Sequence, residues 1–171
     1  MVEEQIDWRK TVAAILENAN RPFVPIGKSF IQRPRGSKER SSVLSQFVTN
    51  GDLRGLKAYL LIAASASSPD TNNEWYTSLP LQTWARAFGC SETAGSVATA
   101  KAAATRILLR LQHRGLIEKS RCGKERKIKI KLLAQDGSGE EYQRPASRYI
   151  RLSHDFWKSR FDEDISPVSY T

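Results

Sequence analysis

The chain has few of the residues on which several protein classes depend. It contains two cysteines and two histidines in 171 residues. Cys90 and Cys122 lie far apart, so we expect no disulfide framework and no cysteine metal cluster, as is typical of a reducing compartment. No apolar run approaches membrane-spanning length, and the charged start of the chain predicts no secretory signal. We therefore expect a cytoplasmic protein with no membrane partner, no metal and no cofactor.

Patterns typical of catalytic sites are also missing. No serine elbow, Cys–His pair or pair of carboxylates stands out. Residues 27–29 (Gly-Lys-Ser) imitate the end of a phosphate-binding loop, but Pro22 stands where the first glycine is required. His113 and His154 have no Cys, Asp or Glu at ligand spacing, and residues 162–164 (Asp-Glu-Asp) are typical of a solvated acidic turn. The sequence therefore predicts that the protein is not an enzyme.

Positive charge is abundant and unevenly distributed. The chain has 27 Lys and Arg against 18 Asp and Glu, a net charge of +9. Residues 119–131 contain seven Lys or Arg and one Glu, which accounts for two-thirds of this excess. A clustered positive field attracts a polyanion, whereas an even one mainly gives solubility. Nucleic-acid phosphate is the partner that this pattern favours.

Residues 1–50 are predicted to form a helical and basic extension. A helix over residues 3–18 places four apolar residues on one side: Trp8, Val12, Ile15 and Leu16. This side either packs onto the main domain or forms a homodimer contact, since DNA-reading proteins often pair to cover two half-sites. Residues 21–27 are extended because of their prolines. Residues 31–42 form a basic loop that carries Arg33, Arg35, Lys38 and Arg40.

Residues 51–134 are predicted to form the main domain, which is mainly α with a small antiparallel sheet (α+β). Asp52 is a good N-cap, Pro80 opens a helix, and Gly89 and Gly115 each stop one. The predicted elements are a helix at 53–66, a strand at 75–79, helices at 80–88 and about 97–113, and strands at 116–122 and 126–133. A short helix, built on Val43, Leu44, Phe47 and Val48, precedes them and ends at residues 50–51.

The last helix and the last strand of this domain each have two distinct faces. The helix places five apolar residues on one face: Ala100, Ala104, Ile107, Leu108 and Leu111. The strand alternates between an apolar and a lysine face: Ile128, Ile130 and Leu132 against Lys127, Lys129 and Lys131. One face of the hairpin is therefore expected to be buried and the other to be neutralised by a ligand.

Three segments carry a resemblance to a known family. Residues 81–89 (LQTWARAFG), residues 106–119 (RILLRLQHRGLIEK) and the basic hairpin after them resemble the winged helix-turn-helix domains of bacterial transcriptional regulators and replication initiators. The resemblance covers residues 52–134, about half of the chain. The turn at residues 90–99 is longer than the family's. Either the recognition helix begins early, near Ser91, or a loop is inserted, which Gly95 favours.

The resemblance implies a double-stranded DNA site built from two elements. The implied recognition-helix residues are Thr99, Lys101, Ala102, Thr105, Arg106 and Arg110. The implied wing residues are Lys119, Arg121, Lys124, Arg126, Lys127 and Lys129. The lysine strand and the outer surface of the helix are then expected to point the same way and form one cationic concavity. A solvated helix face, and lysines that protect an exposed sheet edge from aggregation, are the alternatives.

The function that follows is sequence-specific binding of double-stranded DNA, as a transcriptional regulator of the bacterial nucleoid. A plasmid or phage replication or partition initiator, and a winged-helix module that docks an acidic protein, are alternatives. RNA binding is less favoured, because no exposed aromatic platform is visible in the sequence. Residues 135–171 are a linker followed by a strand and helix. Residues 147–157 resemble residues 21–30, and either pack back on the domain or lead into a second winged helix.

Overall fold

The computed structural model describes residues 8–19, 21–32, 42–66, 69–72, 74–122, 127–146 and 148–158. Its helices are α1 (Trp8–Glu17), α2 (Lys28–Ile31), α3 (Val43–Thr49), α4 (Leu53–Ser65), α5 (Leu81–Ala87), α6 (Cys90–Thr93), α7 (Val97–His113) and α8 (Asp155–Lys158). Its strands are β1 (Phe23–Gly27), β2 (Tyr76–Pro80), β3 (Ile117–Cys122), β4 (Lys127–Leu132) and β5 (Tyr149–Ser153). The strands form two small antiparallel sheets, so the predicted α+β class is confirmed.

The hydrophobic core is centred on α4, as its nearly continuous apolar surface predicts. Tyr59 and Ile62 of this helix are fully buried, and Trp84 of α5 and Leu111 of α7 are buried with them. The apolar face predicted for α7 is confirmed, because all five of its residues are buried. α7 packs on both α4 and α5, so its opposite face is turned to solvent.

Local signals in the sequence fix where the helices begin and end. The Asp52 carboxylate accepts a hydrogen bond of 3.0 Å from the backbone N–H of Gly55 and caps α4, as predicted. The Ser96 hydroxyl accepts one of 3.2 Å from the N–H of Thr99 and caps α7. Gly89 and Gly115 both have φ of 73°, a left-handed conformation that L side chains rarely adopt. Both glycine stops are therefore confirmed.

The three-stranded sheet has the order β2-β4-β3, so the lysine-rich strand β4 is central. Ile130 of β4 lies opposite Thr77 of β2 and Lys119 of β3, and its side chain is fully buried. A hydrogen bond of 2.6 Å between the hydroxyls of Ser65 and Thr77 joins this sheet to the end of α4. Pro80 was predicted to open α5, but it ends β2 and occupies the N-cap position, one residue earlier.

The long turn before α7 contains a helix of its own. α6 occupies the first four residues of this turn, and a break at Gly95 separates it from α7. Of the two alternatives for this turn, an early start of the recognition helix near Ser91 is therefore wrong, and α7 begins at Val97, after the break that Gly95 favoured. α6 could not be predicted from the sequence, because four residues are too few for a helical period to be visible.

α1 uses its apolar side within the chain. Val12, Ile15 and Leu16 are buried, and the helix contacts α4, α5 and α8. The packing alternative for this helix is therefore confirmed over its described part. A homodimer stays a prediction, and it has to use surface other than this buried side. The basic loop residues Arg33, Arg35, Lys38 and Arg40, and the acidic residues 162–164, lie outside the described residues.

The second sheet joins the two ends of the described chain. β1 pairs antiparallel with β5, and a short helix, α2 or α8, follows each strand. The two segments that resemble each other in sequence thus share a strand–helix form and pair with each other. This pairing packs the C-terminal strand back on the domain. A second winged helix after it stays a prediction.

The buried side chain of Gln135 connects β1 to the rest of the fold. Its Oε1 accepts a hydrogen bond of 2.7 Å from the N–H of Gly27, and its Nε2 donates one of 3.0 Å to the carbonyl of Pro25. These two backbone groups of β1 bond to Gln135 and not to β5. Gln135 therefore satisfies both groups where water has little access.

We expect Gln135→Ala to lower the free energy of unfolding by about 2 kcal/mol, because it leaves a buried N–H and a buried carbonyl without a partner. Chemical denaturation of the variant and the wild type measures this loss. The control is Gln143→Ala, in which the replaced side chain is exposed and the change should be within about 0.5 kcal/mol. Equal stabilities of the two variants would contradict the role assigned to Gln135.

Candidate nucleic-acid interface

The solvent-facing side of α7 carries most of the predicted recognition residues. Thr99, Ala102 and Arg106 are exposed, and Lys101 is half-buried. Thr105 is also half-buried, and its hydroxyl donates a hydrogen bond of 3.0 Å to the carbonyl of Lys101. The 17 residues of α7 include no Asp or Glu. This face is therefore cationic and is built mainly from short side chains.

Arg110 is on the same helix, but its guanidinium forms a salt bridge with the carboxylate of Asp52. Its Nε and Nη2 donate hydrogen bonds of 3.1 and 2.9 Å to the two carboxylate oxygens of Asp52. Arg114 donates a third, of 3.3 Å, and its guanidinium lies 4.5 Å from the centre of the Phe47 ring. Arg110 was predicted to contact bases, and the structure instead places it in an ion pair that joins α7 to the start of α4.

The environment of Asp52 keeps this carboxylate charged. Burial by itself raises the pKa of Asp52, but hydrogen bonds from Arg110, from the N–H of Gly55 and from Arg114, with the charge of Arg110, outweigh it. The pKa therefore lies below the ordinary value of 3.8. The cluster of Asp52, Arg110 and Arg114 is a permanent connection between the two helices at neutral pH.

The pairing register divides the predicted wing residues between the two faces of the sheet. Side chains directly opposite each other in an antiparallel pair share a face. Lys119 pairs with Ile130 and Arg121 with Ile128, so these two cations lie on the core side, the side of the helices. The N–H of Lys119 donates a hydrogen bond of 3.1 Å to Oε1 of Gln112 in the last turn of α7. The side chains of Lys119 and Arg121 therefore lie on the same side of the sheet as α7.

The lysines of β4 are on the opposite face of the sheet. Lys127, Lys129 and Lys131 alternate with the apolar residues of β4, so they point away from the core. The expected single concavity, formed by the β4 lysines and the outer surface of α7, is therefore wrong. The error arose because the sequence shows which residues share a face but not which face the helices cover. Lys124 and Arg126 lie outside the described residues.

Glu74, just before β2, neutralises part of this lysine face. Its carboxylate oxygens lie 3.3 Å from Nζ of Lys129 and 3.4 Å from Nζ of Lys131. Nζ of Lys129 also lies 4.3 Å from the centre of the Tyr76 ring. Because β4 is a central strand, these lysines do not protect a sheet edge, and that alternative is wrong for them.

A metal-binding cluster and a membrane-spanning helix are both absent from the described part of the chain. No group of three or more His, Cys, Asp or Glu able to hold a metal ion is present there. Cys90 is buried, and burial raises the pKa of its thiol, which disfavours the reactive thiolate. None of the described helices combines the length and apolar character needed to cross a bilayer.

Two features of the molecule were not predicted from the sequence: the carboxylate partners of Arg110 and Lys129, and the half-buried rings of Phe23 and Tyr149 beside Arg144 and Arg151. Each joins residues that are far apart in sequence, and the sequence carried no signal for either. The chain matches no protein-family model, no curated protein and no solved structure. The case for its function therefore depends on the geometry of these residues.

Proposed function

We propose that the chain binds double-stranded DNA in a sequence-specific manner, with α7 in the major groove, and acts as a transcriptional regulator. The observation that carries the proposal is the outer face of α7, which combines exposed Thr99, Ala102 and Arg106 with a complete lack of carboxylates over 17 residues. In a bacterial cell such a protein acts at the nucleoid.

The dimensions and chemistry of this face suit a groove. The major groove admits one α-helix, and short side chains such as Ala98 and Ala102 let the helix backbone approach the base edges. Arg106 lies near the middle of α7, where a guanidinium can bond in bidentate fashion to guanine. Thr99 lies in the N-terminal half, the part of a recognition helix that contacts bases. Lys119 and Arg121 are then placed to neutralise phosphates.

The order of elements supports a winged-helix arrangement. α4, β2, α5, α6, α7, β3 and β4 follow each other as helix, strand, three helices (the second of only four residues) and hairpin, and the first strand pairs with the last. This arrangement presents the helix before the hairpin to solvent. In this proposal β3, rather than the β4 lysines, supplies the wing cations.

A second candidate is a protein-docking module, and one observation favours it. Val97 and Leu109 of α7 are apolar and 55% and 45% exposed. Apolar residues at these positions can contact thymine methyl groups, but they can also pack on another protein. Retention of the chain by an acidic protein at physiological salt, without DNA binding, would favour this candidate. In a DNA footprinting experiment, protection of direct repeats rather than of a palindrome would favour a replication or partition initiator.

We expect binding to a random-sequence duplex to fall steeply with salt. On a random-sequence duplex Arg106 has no fixed guanine partner and contacts phosphate instead, so four cations on phosphate, from Lys101, Arg106, Lys119 and Arg121, give a slope of log K against log salt of about −3.6. Affinity should then fall at least about a hundredfold between roughly 50 and 200 mM salt. Fluorescence anisotropy at several salt concentrations measures this slope. Binding that is weaker than micromolar and insensitive to salt would remove the proposal.

A further inference from the structure

One face of the β1–β5 sheet, half-buried at its two rings and exposed at Arg151, brings rings and guanidinium groups close together. In the register of this pair, Phe23 lies opposite Ser153, Pro25 opposite Arg151 and Gly27 opposite Tyr149. Phe23, Tyr149 and Arg151 therefore share one face, and Arg151 is exposed on it. We call this set, with Arg144 beside it, the aromatic–arginine face.

The arginines of this face lie against the rings. The guanidinium of Arg151 lies 5.0 Å from the centre of the Phe23 ring and 5.9 Å from that of Tyr149. The guanidinium of Arg144 lies 5.8 Å from the centre of the Phe23 ring. The negative face of an aromatic ring attracts a guanidinium at such distances. Its N–H groups remain available to an anion.

These arginines differ from Arg110 and Lys129 in having no carboxylate partner among the described residues. Asp52 holds Arg110, and Glu74 holds Lys129, but within the described ranges no carboxylate lies at ion-pair distance from Arg144 or Arg151. The segments 21–28 and 143–153 contain no Asp or Glu and together carry five cations: Arg21, Lys28, Arg144, Arg148 and Arg151. These two segments therefore bring positive charge, and no acidic residue of their own, to this face.

We propose that the aromatic–arginine face binds single-stranded nucleic acid. Guanidinium groups bind phosphate oxygens, and unstacked bases stack on aromatic rings and on guanidinium planes. The alternation of ring and cation favours a single strand over a duplex, because duplex bases are stacked inside the helix and cannot reach the rings. The site is separate from the outer face of α7 and does not depend on the proposed function of α7.

The test compares two DNA forms and two variants. The probes are a thymidine oligonucleotide of about 12 nucleotides and a random-sequence duplex, both followed by fluorescence anisotropy. We expect Arg144→Gln with Arg151→Gln to reduce the salt slope for the single strand by about 1.4, from two lost phosphate contacts, and to lower affinity at least about tenfold at low salt. Duplex affinity should change far less.

The matched control removes the same charge elsewhere. Lys10→Gln with Arg54→Gln replaces two exposed cations on α1 and α4, and should leave the slope for the single strand within about 0.3 of the wild type. Phe23→Leu with Tyr149→Leu keeps every charge, and should lower affinity about fivefold or more while leaving the slope unchanged. Thermal melting of every variant confirms that the fold is retained.

The outcomes separate this proposal from the one for α7. If the double arginine variant binds the thymidine strand as tightly as the wild type does, with the same slope, the aromatic–arginine face is not the site. Wild-type protein that binds duplex but not single strand also overturns the inference, and leaves the function of α7 standing. Single-strand binding without duplex binding supports this inference and contradicts the proposed function of α7.

Discussion

A single carboxylate on the outer face of α7, introduced by Ala102→Glu, is expected to lower the affinity for duplex DNA by at least about a hundredfold. Ala102 is exposed in the middle of a face that has no acidic residue, and glutamate there brings a negative charge against the phosphates and base-edge acceptors of the groove. Like charges across an interface cost several kcal/mol, and each 1.4 kcal/mol is a factor of ten. Anisotropy titration with the duplex measures the loss.

This substitution leaves the fold nearly unchanged. Glutamate is a good helix former, and an exposed position in a long helix accepts it at a cost of well under 1 kcal/mol. The control is Ala13→Glu, which makes the same change at an exposed position of α1 and should lower duplex affinity less than about threefold. Equal losses in the two variants would mean that net charge, and not the face of α7, governs binding.

The sequence predicted the parts of the fold that local chemistry decides. The Asp52 cap and the left-handed Gly89 and Gly115 act through neighbouring residues, so the limits of α4, α5 and α7 could be inferred without tertiary structure. α6 could not be inferred, because four residues carry no period. The partner of β1 was not predicted, although its segment and that of β5 resemble each other, since strand pairing depends on residues more than 120 positions away.

The candidate site was less predictable than the fold, because it depends on contacts between residues that are far apart in sequence. Alternation in β4 correctly separated Ile130 from Lys129, but not which face the helices would cover. The partner of Arg110 is 58 residues earlier in the chain, and the partner of Lys129 is 55 residues earlier. A cation count therefore overestimates the charge available to a ligand unless the carboxylates brought close by folding are known.

The loss of Asp52 is expected to destabilise the protein more than the loss of Gln135. Asp52→Ala removes the N-cap of α4, which contributes about 1 kcal/mol, and the acceptor of Arg110 and Arg114. The side chain of Arg114 is 14% exposed, so its lost charge-assisted hydrogen bond costs about 2 kcal/mol more. We therefore expect a decrease of about 3 kcal/mol in the free energy of unfolding, measured by chemical denaturation.

Asp52→Asn keeps the helix cap and removes the charge, because asparagine caps helices about as well as aspartate but forms no ion pair. The variant should lose about 2 kcal/mol at pH 7, less than Asp52→Ala. Since the folded pKa of Asp52 lies below 3.8, the stabilisation by its charge is fully present above about pH 4 and is lost as the pH falls through the folded pKa. The stability difference between wild type and Asp52→Asn should therefore shrink in acid. A difference that is the same at pH 3 and pH 7 would show that the charge of Asp52 does not hold α7 against α4.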